Sequence, residues 1–165
     1  MPVSVPFSPP EAPPIAPGAA LVARGIMRMF ARNGIWCLGE MPLRGGRRAD
    51  LMGIDAKGQV VIVEIKVVRA DLVNDAKWTD YLDHCDRFYW GLCAELDSAH
   101  VPSDAFQGGR CGLIFADGYD AEIVRAAATV PLAAARRKVE VERLARAALR
   151  RHSLIADPVL ASWGE

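Results

Sequence analysis

The chain has 165 residues, 52% of them hydrophobic, which is the size of one domain with enough apolar material for a sizeable core. Its 20 basic and 20 acidic side chains cancel. No run of about 18 apolar residues offers a membrane span, and no cationic start followed by an apolar core offers a secretory leader.

Residues 1–17 hold seven of the eleven prolines and read as an extended, disordered tail with no chemistry of its own. The first helix starts at Gly18 or Ala19 and runs to Arg32, where Asn33-Gly34 is a strong stop. Leu21, Val22, Ile26, Met29 and Phe30 form its apolar stripe. Arg24, Arg28 and Arg32 recur every four residues and form a basic one, either a set of phosphate contacts or simply the wet face. Ile35 to Leu43 is the first strand, with Trp36, Leu38 and Glu40 on one face; Glu40 points either to a site or to solvent. Arg44 to Arg48 is a loop.

A β-hairpin follows, with arms Ala49–Asp55 and Gln59–Val67 and a three-residue loop ending in Gly58. The last loop position needs φ > 0, which glycine takes without strain. If Asp55 faces Gln59, Asp50 lies opposite Glu64, and Lys66 shares that face two residues on. Two opposed carboxylates repel, and the apolar run Val60–Val63 with Ile65 reads as a strand covered on both faces, which makes the repulsion worse. A divalent cation is one remedy: two carboxylates, a carbonyl such as that of Ile65, and water suit Mg²⁺. A lysine beside it can orient water or neutralise charge on a phosphoryl group. The other reading is a solvated edge on which Lys66 merely pairs Glu64. Arg48 falls opposite Lys66 in this register, and two adjacent cations favour an anion such as phosphate between them.

Arg69 to Cys85 reads as a helix capped by Asp71 or Asn74, with Trp78, Tyr81, Leu82 and Cys85 buried. Lys77, Tyr81 and His84 share a helical spacing and could face the cleft. Arg87–Cys93 is a strand whose Phe88, Tyr89 and Trp90 fit central packing better than base stacking. Residues 94–109 are irregular, Cys111–Phe115 is an apolar strand, and Asp117-Gly118 turns into an edge hairpin over Tyr119–Arg125. Pro131 to His152 is a long helix and the most basic element. The histidines, His84, His100 and His152, have no nucleophile at a recognisable spacing, and no Gly-rich phosphate loop is present. Cys37, Cys85, Cys93 and Cys111 lack C-x-x-C spacing and read as small buried hydrophobes of a reducing cytoplasm.

The zero net charge hides an uneven distribution. Ala19–Arg48 carries six arginines and one acid, a net of +5; Asp50–Glu122 nets −8; Pro131–His152 nets +5 again. Basic flanks around an acidic centre suit an enzyme that holds a metal and grips phosphates, although ordinary solvated helix faces give the same count.

Asp50, thirteen intervening residues and Glu64-Ile65-Lys66 resemble the signature of the PD-(D/E)XK nuclease superfamily. The longer stretches RRADLMGID, EIKVVRADLVNDAKWTDYLDHCDRFYWG and GLIFADGYDAEIVR are similar to the MmcB-type DNA-repair proteins, small stand-alone members of it; this likeness covers about Ala20 to Leu154. The resemblance implies a restriction-endonuclease-like α/β fold, a mixed sheet of five or six strands flanked by helices on both faces, in one domain over 18–155 with a tail at 156–165. It implies a Mg²⁺-dependent DNA endonuclease, with Mn²⁺ as a substitute, acting in repair in the bacterial cytoplasm at the nucleoid. Asp50, Glu64 and the Ile65 carbonyl would hold the metal, Lys66 would serve the water, and Lys77 would touch substrate. Many superfamily members carry a further acid on the first helix. None occurs between Ala19 and Gly39 here, and Glu40 could substitute. DNA is the expected partner, a homodimer is possible, and a DNA-binding repair accessory without catalysis is the alternative.

Overall fold

The computed structural model describes residues 17–68, 77–94, 96 and 109–163. Six strands form one sheet in chain order: β1 (Trp36–Pro42), β2 (Arg48–Ile54), β3 (Val60–Lys66), β4 (Arg87–Cys93), β5 (Cys111–Ala116) and β6 (Ala121–Arg125). β1, β2 and β3 are antiparallel, β3, β4 and β5 parallel, and β6 returns antiparallel along β5. This is the mixed α/β sheet expected. Helix α1 (Pro17–Arg32) covers one face through Val22, Ile26, Met29 and Phe30, which pack on Leu51, Val61, Val63 and Ile114. Helix α2 (Ala134–Ala156) and a 3-10 helix (Trp78–His84) cover the other, over Met52, Val60, Ile62, Phe88 and Trp90. Every residue of β3 except Lys66 is buried, as its unbroken apolar run requires.

The β2–β3 turn has the expected chemistry. Gly58 sits at φ 77, and the Asp55 carboxylate accepts from the backbone N–H groups of Lys57 and Gln59 at 2.8 and 2.9 Å. Arg87 on β4 pairs with the same carboxylate at 2.7 Å.

Several expectations need correction. From Trp78 to His84 the chain is 3-10, not α; the remainder of the predicted crossover helix, with Asp71 and Asn74, and most of 94–109 lie outside the described residues. The long helix begins at Ala134 rather than Pro131 and continues past His152 to Ala156. Part of the supposed C-terminal tail is a second 3-10 helix, Pro158–Trp163. The aromatic trio of β4 is buried, as expected, and packs rather than stacking on bases. Cys37, Cys85, Cys93 and Cys111 are all free thiols, and burial pushes Cys85 and Cys111 up to about 12.

Two polar clasps tie the layers together. On one face, the α1 arginines hold the β5–β6 turn: Arg24 and Arg28 donate to the Gly118 and Tyr119 carbonyls, and Arg32 pairs with Asp120. Gly25 lets the helix approach, because a Cβ there would collide with the carbonyl oxygens of Asp117 and Asp120. On the other face, fully buried Asp86 accepts from Val60 N at 2.7 Å, Leu132 N at 2.8 Å and Arg137 at 2.5 Å, joining β3, the α2 approach and α2. Burial pushes its carboxyl up, but the Arg137 hydrogen bond and the two backbone N–H groups outweigh it and hold it below its ordinary value.

An exposed mid-helix Gly→Ala normally gains about 1 kcal/mol; Gly25→Ala should instead lose about 1–3 kcal/mol in urea denaturation, because the clash is with backbone. Asp86→Ala should cost about 2–4 kcal/mol, since it strips two backbone amides and the part-exposed Arg137 guanidinium of their acceptor. A carboxyl held low in the fold stabilises above its unfolded value near pH 4 and loses that contribution as pH falls through its folded one. The stability gap between wild type and Asp86→Ala should therefore narrow on acidification.

Candidate metal and nucleic-acid site

The register of β2 and β3 runs Ile54↔Val60, Gly53↔Val61, Met52↔Ile62 and Leu51↔Val63, and there it stops. Asp50 and Glu64 occupy the next opposed position. Beyond it β2 parts from β3 while staying paired to β1 as far as Arg48. The Ile65 amide, left without a backbone partner on β2, donates at 2.7 Å to a carboxylate oxygen of Asp50. The acid thus closes the ladder that its own strand abandons, and the parted ends form a cleft.

Glu64 is 9% exposed. One of its oxygens accepts from the Lys66 ammonium at 3.4 Å, and the other, Oε2, is buried with no hydrogen-bond partner. The Tyr81 hydroxyl is close enough to favour the Glu64 anion but donates at 3.3 Å to the Arg48 carbonyl instead. Burial first, then the Asp50 charge, push the Glu64 carboxyl up to about 7, against the pull of Lys66 and Tyr81. Asp50 is also raised, chiefly by burial and in part by Glu40; the Ile65 amide, Lys66 and Arg48 restrain it. The Lys66 ammonium lies 5.7 Å from the centre of the Trp90 ring, the residue beside Glu64 on β4.

The structure brings Asp50, Glu64 and Lys66 together and places Ile65 between them. Glu40 occupies the β1 position opposite Asp50, at φ 53, the one non-glycine residue with positive φ among those described. The strand's facing slips there: Leu38 packs on the same core as Met41 and Leu43, three and five residues on. Glu40 therefore does not continue a simple alternation with Trp36 and Leu38. Its carboxylate pairs with Arg48 at 3.4 Å. Among the described residues no three His, Cys, Asp or Glu side chains form a metal-holding group, so Glu40 does not complete a three-acid cage with Asp50 and Glu64. Arg48 is then turned to Glu40 rather than set side by side with Lys66.

Of the other candidates, Lys77 is exposed at the start of the 3-10 helix. His84 is engaged at 2.8 Å with the fully buried Glu140 of α2. Arg28 serves the Tyr119 carbonyl on the sheet face opposite Asp50 and Glu64. Arg47 pairs with Asp80 at 3.0 Å and lies 5.4 Å from the centre of the Tyr81 ring. Tyr81 is both core and cleft-facing, as its spacing allowed: it packs on Phe88 and stands beside Glu64. Arg151, whose guanidinium donates to the Gly39 and Glu40 carbonyls at 2.6 and 3.2 Å, had no local signal at all.

No curated protein matches the chain in sequence. A solved protein of unknown function from Silicibacter pomeroyi is 41% identical, with a TM-score of 0.76, over 87% of this chain and 94% of that one. A repair endonuclease from Pyrococcus abyssi matches 42% of this chain and 35% of its own at 22% identity and a TM-score of 0.29, too low to carry an argument. The family model described as DNA repair protein MmcB-like matches residues 14–159, nearly the whole of the fold and both strands of the site. The chain belongs to the MmcB-like DNA repair protein family.

Proposed function

We propose that this chain is a metal-dependent DNA endonuclease of repair that hydrolyses phosphodiester bonds. The observation that carries the reading is the pair of desolvated, facing carboxylates at parted strand ends, one with a buried oxygen that has no hydrogen-bond partner in good geometry among the described residues. Such an oxygen costs stability unless a cation or proton meets it. The donor set is hard oxygen, which fits Mg²⁺ or Mn²⁺: the Asp50 and Glu64 carboxylates and the Ile65 carbonyl would hold the ion, with water completing it. The ion would supply Lewis acidity, lowering the pKa of a water and neutralising charge on phosphoryl oxygens.

The protein's own groups do the rest. Lys66 is fixed against Glu64 and over Trp90, so its ammonium can orient a water for in-line attack or meet a phosphoryl oxygen. Arg48 borders the same cleft and can share its guanidinium between Glu40 and a phosphate. Lys77 can contact a strand entering past the 3-10 helix. Arg28, on the far face, is not placed for DNA held at Asp50. Cutting both strands of a duplex would call for a homodimer. A second reading, a DNA-binding repair accessory that keeps the fold without chemistry, draws on one observation: Glu40, the acid opposite Asp50 on β1, is given to Arg48.

Cleavage of a panel of single-stranded, duplex, flap and junction DNA in Mg²⁺ or Mn²⁺ should be nearly abolished by Glu64→Ala and by Lys66→Ala, with folding retained. Wild-type cutting by Glu64→Ala would end the nuclease reading. Calorimetry separates the accessory, which should show no carboxylate-dependent Mg²⁺ binding.

Stability gives an independent check. A carboxyl raised in the fold destabilises as pH climbs from its unfolded value near 4.5 to its folded one near 7, and the loss is complete above that. Glu64→Gln should therefore be more stable than wild type at pH 8, by on the order of 3 kcal/mol, and the gain should vanish near pH 4. Added Mg²⁺ should raise the melting temperature of wild type at pH 8 and leave that of Glu64→Gln unchanged.

A further inference from the structure

Helix α2 meets the sheet through Leu144, and the two flanks beside that line differ in kind. At 3.6 residues per turn, Ala145 and Ala148 fall on one flank and Arg143 on the other, with Arg150 and then Arg146 further round on that side towards solvent. The alanine flank closes a cavity of about 250 Å³ with Trp36, Leu38 and Ile54, at the end of β1 and β2 remote from Asp50. The arginine flank turns the opposite way. Arg143 donates to the Pro42 carbonyl, and Pro42 is the β1 partner of Arg48. Arg151 anchors the next turns of the helix on the Gly39 and Glu40 carbonyls. Arg146 and Arg150 lie along the helix between these two anchors on β1. Glu40, Asp50 and Glu64 stand at matching positions on three adjacent strands, about 5 Å apart from strand to strand, and Arg151 holds the first of them by its carbonyl.

Two of the three charges on this side of the helix are not spent on internal ion pairs. No acidic residue occurs from Arg143 to Ala156. Arg143 is engaged with Glu140 at 3.5 Å, whereas exposed Arg146 and Arg150 make no ion pair with any described residue. They are one helical turn apart, about 6 Å along the axis. The α1 arginines, by contrast, are all engaged with the Gly118–Asp120 turn.

We infer that Arg146 and Arg150 form the track that binds the DNA sugar-phosphate backbone beside the Asp50–Glu64 cleft. The inference rests on the DNA-directed reading above and adds to it the surface that grips the strand. Guanidinium groups one turn apart, free of carboxylates and close to a metal-type site, suit sequence-independent phosphate contact.

The test is fluorescence anisotropy of a labelled duplex of about 20 base pairs, titrated across a range of NaCl in EDTA so that nothing is cut. Removing two phosphate contacts should reduce the slope of log K against log salt by about 2 in Arg146→Ala/Arg150→Ala. The charge-keeping Arg146→Lys/Arg150→Lys should retain the slope, and so should Lys57→Ala, at the far β2–β3 turn. An alanine pair with wild-type slope and affinity would overturn the track alone. If wild type binds no duplex even at low salt, the DNA reading falls with it. Retained Mg²⁺ stabilisation in the alanine pair would show that fold and carboxylate site are intact.

Discussion

Two carboxylates are forced to face each other where water is largely excluded, and much of the surrounding structure accommodates that fact. Asp50 cannot move away, because it accepts the Ile65 amide that β2 leaves unpaired. Glu64 cannot move away, because β3 is clamped between β2 and β4 and covered on both faces. Relief must come from outside the pair: a proton, the Lys66 ammonium, or a cation at the buried oxygen. A fold gains little stability from such an arrangement, which is why it points to chemistry rather than architecture.

The sheet supplies the rigidity that this needs. Parallel strands β3 to β5, buried under α1 on one side and under α2 and the 3-10 helix on the other, fix Glu64 and Lys66 at the carboxyl end of β3. That is where open α/β sheets commonly form their ligand clefts. The strain at Glu40 belongs to the same region. A non-glycine residue at φ 53 costs about 1–3 kcal/mol, and it persists because Arg48 holds its carboxylate and Arg151 its carbonyl. The basic helix is therefore not only a charged surface. It braces the strand next to the acids.

Much of this was legible in the chain itself. The Asp55–Gly58 turn fixed the hairpin register by local chemistry, and the register alone set Asp50 opposite Glu64. The apolar run of β3 announced burial on both faces, and the Asn33-Gly34 stop ended α1 where it does end. These features depend on neighbours a few residues apart, so spacing encodes them. Family membership was carried by long similar segments rather than by the short Asp–Glu-x-Lys motif.

Tertiary structure alone decided the rest. The path from Trp78 to His84 is 3-10 because Trp78 and Tyr81 must pack on Phe88 and Trp90, and helical spacing in sequence could not reveal it. Glu40 leaves the alternation of its strand because of what Arg48 and Arg151 hold, and the latter is over a hundred residues distant. Asp86 gathers partners from β3 and α2 that no local pattern links to it. The division has one physical origin. Turn chemistry and alternation are short-range and written in consecutive residues, whereas the company a charged group keeps once water is removed depends on which distant segments the core draws together.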